Sequence, residues 1–131
     1  MAHANDAKLP ENFHRIRLEL AREPGHPEGD AHTGYVIVAP LDGDGRIDID
    51  TARDFRDSCT VVRMRPGAEP ERGILRRRPG GSWALHYDLE AGEDDDPGYR
   101  LGEHRFVPGE YVTIIEDAGE HTYRIITVQR L

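Results

Sequence analysis

The feature that most constrains this chain is period-two alternation of apolar and polar residues. Between Phe13 and Ala21, the residues Ile16, Leu18 and Leu20 share one side with His14, while Arg15, Arg17 and Glu19 share the other. Successive side chains point to opposite faces in a strand, so the pattern reads as a strand half-buried against a core. The same reasoning predicts strands at 33–41, 46–50 with Ile47 and Ile49 inward, 60–65, 72–78, 82–89, 110–116 and 120–130. Ile16, Leu18, Leu85, Ile114 and Ile125 are the expected shared interior. In the last two strands Val112, Ile114, Tyr123 and Ile125 oppose a second apolar set of Tyr111, Ile115 and Ile126. Strands apolar on both sides sit centrally or in a closed barrel.

The punctuation between these segments is equally regular. Residues 23–32 are nearly all breakers and polar groups, as a loop requires. Asp42-Gly43-Asp44-Gly45 tolerates the positive φ of a tight turn. Pro79-Gly80 suits the centre of a type II turn, because Pro presets φ and Gly supplies the positive φ that follows. Pro108-Gly109 and 117–119 complete the set. The acidic run Glu93-Asp94-Asp95-Asp96 repels itself and reads as an exposed loop. One short helix is expected at about 51–58, capped by Asp50 or Thr51, with Ala52, Phe55 and Cys59 on its apolar stripe. The fold class is therefore all-β: a small, partly open or closed barrel of about seven to eight mostly antiparallel strands with one helix. Residues 1–11 read as a flexible tail and 12–131 as a single domain.

Charge and cysteine content narrow the function classes. The 131 residues carry a net charge of −8, which repels a phosphate polymer unless a local basic patch overrides it. The lone Cys59 excludes an intramolecular disulfide and fits a reducing compartment. The first ten residues lack the apolar core of a signal peptide, and the apolar runs are too short to span a membrane. A cytoplasmic protein without membrane contact is expected.

Several constellations are candidates for chemistry. Asp42, Asp44 and Asp48 match the middle of a calcium loop when Gly45 takes the turn-glycine position. Pro40 and Thr51 then stand where end ligands belong, so an acidic turn is the stronger reading. His86 and Asp88 alternate onto one face, and His104 or His121 could add a third metal ligand. Glu116 faces His121 if the last turn is Ala118-Gly119, whereas a three-residue loop sets His121 against Ile115. No nucleophile elbow, Walker loop, dinucleotide glycine pattern or zinc-type cysteine pair occurs. No cofactor is implied.

The basic stretch 63–78 is the most suggestive segment. With Pro79-Gly80 as the turn, Arg76 pairs opposite Trp83 and Arg72 opposite Tyr87, with Ile74 and Leu85 between them. Arg72, Arg76, Trp83 and Tyr87 then form an arginine and aromatic ribbon, with His86 and Asp88 on the opposite face. Such a ribbon can contact a protein or small ligand, or stack single-stranded nucleic acid. Arginine stems laid over a half-buried Trp and Tyr would give the same pattern without any partner.

Two stretches carry a family resemblance. Arg78-Pro79-Gly80-Gly81-Ser82-Trp83-Ala84-Leu85-His86-Tyr87-Asp88 is one; His104 to Ile114, continuing to His121-Thr122-Tyr123-Arg124, is the other. Together, over residues 72–130, they resemble short bacterial all-β proteins usually left uncharacterised, and the resemblance assigns no functional residue. The expectation is a non-enzymatic binding or regulatory barrel for a protein or small-ligand partner, using Arg72, Arg76, Trp83 and Tyr87. The alternatives are single-stranded nucleic-acid binding through that ribbon, and a metal-dependent enzyme using His86, Asp88 and His104.

Overall fold

The computed structural model describes residues 9–77, 83–87, 104–116 and 119–131. Within them, seven strands form one antiparallel sheet: β1 (Phe13–Leu20), β2 (Asp30–Pro40), β3 (Thr60–Met64), β4 (Glu71–Arg77), β5 (Trp83–Tyr87), β6 (Tyr111–Glu116) and β7 (Gly119–Arg130). Their spatial order is β5-β4-β3-β2-β1-β7-β6, and the sheet curls into a half-barrel. The helix α1 (Ile49–Asp54) and a 3-10 turn (Arg56–Ser58) follow β2. The expected open barrel with one helix is the fold observed.

The interior follows from alternation in register. Ile16 pairs with Ile37 and Leu18 with Tyr35 across β1 and β2, and Leu18 pairs with Ile125 across β1 and β7. Ile16, Leu18, Leu85, Ile114 and Ile125 are each fully buried at 0% exposure, so all five share the interior as the alternation requires. The rings of Tyr35 and Tyr123 pack edge to face with centroids 5.1 Å apart, a favoured aromatic geometry.

Two irregularities bend the central strands. Arg17 pairs with Thr127 while Leu18 pairs with Ile125, so Ile126 is an extra residue in β7. That bulge accounts for one member of the second apolar set: Ile126 is the extra residue and does not reach the interior. On the other side Glu19 pairs with Gly34 and Leu20 with Asp30, so Ala31, His32 and Thr33 arch out. Asp30 builds the arch by accepting from the His32 N–H at 2.8 Å and the Thr33 hydroxyl at 2.8 Å. Those two bonds, the His32 amide first, hold the Asp30 carboxyl below the usual carboxylate range. Gly34 sits where β1 presses closest, since a Cβ there would lie 1.9 Å from the Leu18 carbonyl oxygen.

The helix closes one end of the half-barrel. Its N-cap is Asp48, earlier than the expected Asp50 or Thr51. The Asp48 carboxylate accepts from the Thr51 N–H (3.2 Å), the Thr51 hydroxyl (2.8 Å) and the Asn12 side-chain amide (3.0 Å). Thr51 thus serves the cap as a donor, and its hydroxyl is the main cause of the lowered Asp48 pKa. Because the helix begins at Ile49, the strand expected at 46–50 shrinks to a single bridge between Leu41 and Ile47. Ile47 is buried as expected, whereas Ile49 is 38% exposed. Phe13 breaks the β1 alternation to pack against Phe55, with ring centroids 6.1 Å apart. Cys59 lies beneath that helix, its thiol directed at the Phe55 and Ala52 carbonyls at 3.7 and 3.9 Å.

Two hairpin registers differ from the sequence expectation. In the β4–β5 pair, Arg77 meets Trp83, Leu75 meets Leu85 and Gly73 meets Tyr87. That is one residue away from the pairing that a Pro79-Gly80 turn imposes; the connecting residues 78–82 lie outside the described residues. In the β6–β7 pair, Glu116 meets Gly119 and Ile114 meets His121. His121 therefore faces neither Glu116 nor Ile115, and both sequence alternatives for the last turn are replaced. The acidic run at 93–96 lies outside the described residues.

Candidate functional site

The one-residue shift between β4 and β5 changes which β4 residues share a face with Trp83: Leu75 and Arg77 replace Ile74 and Arg76. Trp83 lies with Leu75 and Leu85 in the buried interior and retains only 3% exposure. Arg72 pairs with Val62 and Arg76 with Ala84, and both arginine side chains are exposed. Tyr87 pairs with Gly73 in the backbone ladder, and its side chain lies outside the described residues. The four ribbon residues are therefore not one stacking surface.

A cavity of about 600 Å³ opens between the helical segment and the ends of β4 and β5. Ile49, Ala52, Leu75 and Trp83 give it an apolar lining, with Ile74 beside them. Arg53, Arg56, Arg76 and Arg77 also line it, and Asp57 is the one carboxylate among the described lining residues. Of the expected residues the groove brings Arg76 and Trp83 together and omits Arg72. Arg53, Arg56 and Arg77 were not singled out by the sequence. The i, i+3 spacing of Arg53 and Arg56 on a helical segment is the signal that could have found two of them.

Electrostatics distinguish these arginines. Arg53 is held by Asp50 at 3.2 Å in a pair so exposed that it contributes little. Arg56, Arg76 and Arg77 have no carboxylate partner among the described residues. Guanidinium groups remain protonated throughout the accessible pH range, so they bind anions and cannot act as general bases.

Trp83 supplies the unusual feature. Its Nε1 atom is buried and has no hydrogen-bond partner among the described residues. Indole N–H groups normally find an acceptor when buried, and leaving a buried donor unpaired costs about 1–3 kcal/mol. Asn12 Oδ1 is the other such side-chain atom among the described residues; it lies behind the helix cap, with the Asn12 amide bound to Asp48.

The remaining chemical candidates are occupied locally or lie outside the described residues. The Asp42 carboxylate accepts from the backbone N–H groups of Asp44 (2.8 Å) and Arg46 (3.1 Å), forming an acidic turn. Asp48 is the helix cap. His14 Nδ1 lies 2.6 Å from the Asn12 carbonyl oxygen, and His121 Nδ1 lies 3.0 Å from the Glu23 carboxylate. Of the proposed metal set, His104 is half-buried, while the His86 side chain and all of Asp88 are outside the described residues. Among the described residues no group of three His, Cys, Asp or Glu side chains could hold a metal ion. Burial pushes the Cys59 thiol up to about 12, far from a reactive thiolate. No helix among the described residues is long and apolar enough to cross a membrane.

A second cavity of about 610 Å³ lies between the 21–29 loop, the start of β2 and β7. Glu19, Glu28 and Asp30 meet Arg22 and Arg124 there, with Tyr111 at the side. Its charges are mixed, and no buried polar side-chain atom among its described residues is unpartnered. No protein-family model, curated protein or solved structure matches the chain.

Proposed function

We propose that this protein is a non-enzymatic binding module whose contact site is the groove around Trp83. The observation that carries the reading is a cavity whose described lining sets four arginines beside an apolar wall that includes Trp83. Apolar walls with a few polar groups are the usual make-up of a ligand site, and about 600 Å³ is an ordinary volume for one. The described lining holds no His, Cys, Ser, Thr, Lys, Glu or Tyr. Binding chemistry is therefore well supplied, and groups for proton transfer or nucleophilic attack reduce to Asp57.

The nucleic-acid reading needs an aromatic face on which a base can stack. Trp83 at 3% exposure does not offer one, so the small-ligand or protein partner is favoured. The test uses the only tryptophan of the chain. Its indole N–H gives a single, assignable amide-type NMR signal. Titration with a library of small anions and acidic peptides is expected to move that signal saturably, together with signals from α1 and β4, while the ligand remains chemically unchanged. Ligands that perturb only the 21–29 loop and the start of β2, or ligand turnover abolished by Asp57→Asn, would overturn the reading.

A further inference from the structure

We infer that the groove takes a small organic anion with an apolar body, its charge held by the groove's arginines and its body packed against the lining that includes Trp83. The inference rests on the groove being a binding site and specifies what it binds. Two features converge on this chemistry. Ile49, Ala52, Leu75 and the indole itself provide an apolar lining, which suits an apolar body better than a hydrated ion. Arg56, Arg76 and Arg77 at the margin lack carboxylate partners among the described residues, and their planar forks match a carboxylate or phosphate. An apolar ligand would leave those charges unused, and inorganic phosphate would leave the apolar walls empty.

The whole chain is acidic, with 25 Asp and Glu against 17 Lys and Arg, yet the described lining residues reverse that balance with four arginines and one aspartate. A local reversal of sign against the whole-molecule field marks where an anion finds a favourable potential. The volume of about 600 Å³ holds a bicyclic ring with one anionic group and does not hold a folded partner.

The experiment compares four probes on the intact chain: 2-naphthoate, 2-naphthyl phosphate, uncharged 2-naphthamide and inorganic phosphate. The Trp83 indole signal and calorimetry are the readouts. At least one of the two naphthyl anions is expected to bind about tenfold or more tightly than naphthamide and to shift the indole signal. The relative affinity of the two distinguishes a carboxylate from a phosphate ligand. Inorganic phosphate is expected to leave the signal in place. The double variant Arg56→Gln/Arg76→Gln should erase the advantage of the anions while leaving naphthamide affinity unchanged, which separates lost charge from lost folding. Equal affinity for naphthamide and both anions, or saturation without movement of the indole signal, overturns the inference. If a glutamate-rich peptide moves the indole signal and no naphthyl probe does, the inference falls and the binding-groove reading survives. If nothing in either set moves it, both fall.

Discussion

The centre of the sheet and its β4–β5 wing bury their inner faces to similar degrees, but they differ in what burial leaves unpaired. In β1, β2 and β7 the interior is aliphatic side chains and a tyrosine pair, closed by a backbone approach that only Gly34 permits. In the wing, Trp83 is as buried as its central counterparts, yet its N–H has no acceptor among the described residues and a cavity stands beside it. A fully satisfied interior holds the fold. An interior with one open donor and adjoining space holds it less well and retains the capacity to take a ligand. On the proposed reading, stability rests on the centre and recognition on the wing.

The largest effect that separates them is expected at Gly34. Its Cβ position lies 1.9 Å from the Leu18 carbonyl oxygen and 2.9 Å from the carbonyl carbon. Both atoms belong to β1 backbone and cannot move without breaking the β1–β2 ladder. Gly34→Ala is expected to cost about 4 kcal/mol or more, read as loss of the folded baseline in urea denaturation. A folded Gly34→Ala protein with an unchanged midpoint would mean that the central strands are no tighter than the wing.

A matched pair of truncations sharpens the contrast. Leu18 is fully buried in the centre, and Leu75 is 2% exposed but lines the groove. Leu→Ala removes the same atoms at both sites. The cost depends on how much enclosed space remains. Leu18→Ala leaves a sealed cavity and should cost about 3–5 kcal/mol. Leu75→Ala only enlarges a groove already open to water and should cost about 1–2 kcal/mol by loss of transfer free energy. Equal destabilisation in chemical denaturation would show that the groove closes in solution.

The same two regions differ in how far the sequence disclosed them. In the centre, the alternation of Ile16, Leu18 and Leu20 fixes which residues face inward, and a strand has no second way to bury all three. In the wing, Arg76-Arg77-Arg78 brackets a Pro-Gly turn, and neither face is apolar enough to fix the register by itself. The sequence sets Trp83 opposite Arg76, either on a contact ribbon or half-buried under arginine stems; Trp83 instead pairs with Arg77 and lies inside, as burial under the second reading requires. A one-residue slip costs little to misread and exchanges every side chain between faces. The groove was less legible still. It needs Arg53 and Arg56 beside Trp83, and those residues meet only through the tertiary course of the chain. The helix boundary failed for a local reason: Asp48, Asp50 and Thr51 are all competent caps, and the Asn12 amide reaching Asp48 from β1's entry reinforces one of them.

That cap lies between the two regions and is expected to have a moderate effect. Asp48→Ala removes the acceptor of the Thr51 N–H and hydroxyl and should cost about 1 kcal/mol. Its pH dependence has a defined sign. The folded-state pKa of Asp48 is lowered, by the Thr51 hydroxyl first and the Thr51 amide second. The stabilisation is therefore fully present above the unfolded carboxylate value of about 3.9 and is lost as pH falls through the lower folded value. Asp48→Asn keeps a capping oxygen without a titrating group, so its acid unfolding limb should be flatter than that of the parent. Parallel limbs for the parent and the Asn variant, measured by denaturation between pH 5 and pH 2, would remove Asp48 from the account.

The smallest effect on stability is the most informative about function. Trp83→Phe retains an aromatic ring on the inner face and deletes the unpaired N–H. Losing part of the indole reduces buried apolar area, which destabilises. Removing a buried donor without an acceptor relieves an uncompensated desolvation cost of about 1–3 kcal/mol. The two terms oppose each other, so the net change should stay within about 1 kcal/mol of the parent, far below the 3–5 kcal/mol typical of deleting a core aromatic. Binding of an anionic aromatic probe should nevertheless weaken, because the smaller ring reshapes the apolar lining that Trp83 gives the groove. A Trp83→Phe protein that is stable but binds poorly places recognition in the wing. One destabilised by several kcal/mol would mean that the N–H has an acceptor in solution, and the wing would then be an interior of the same kind as the centre.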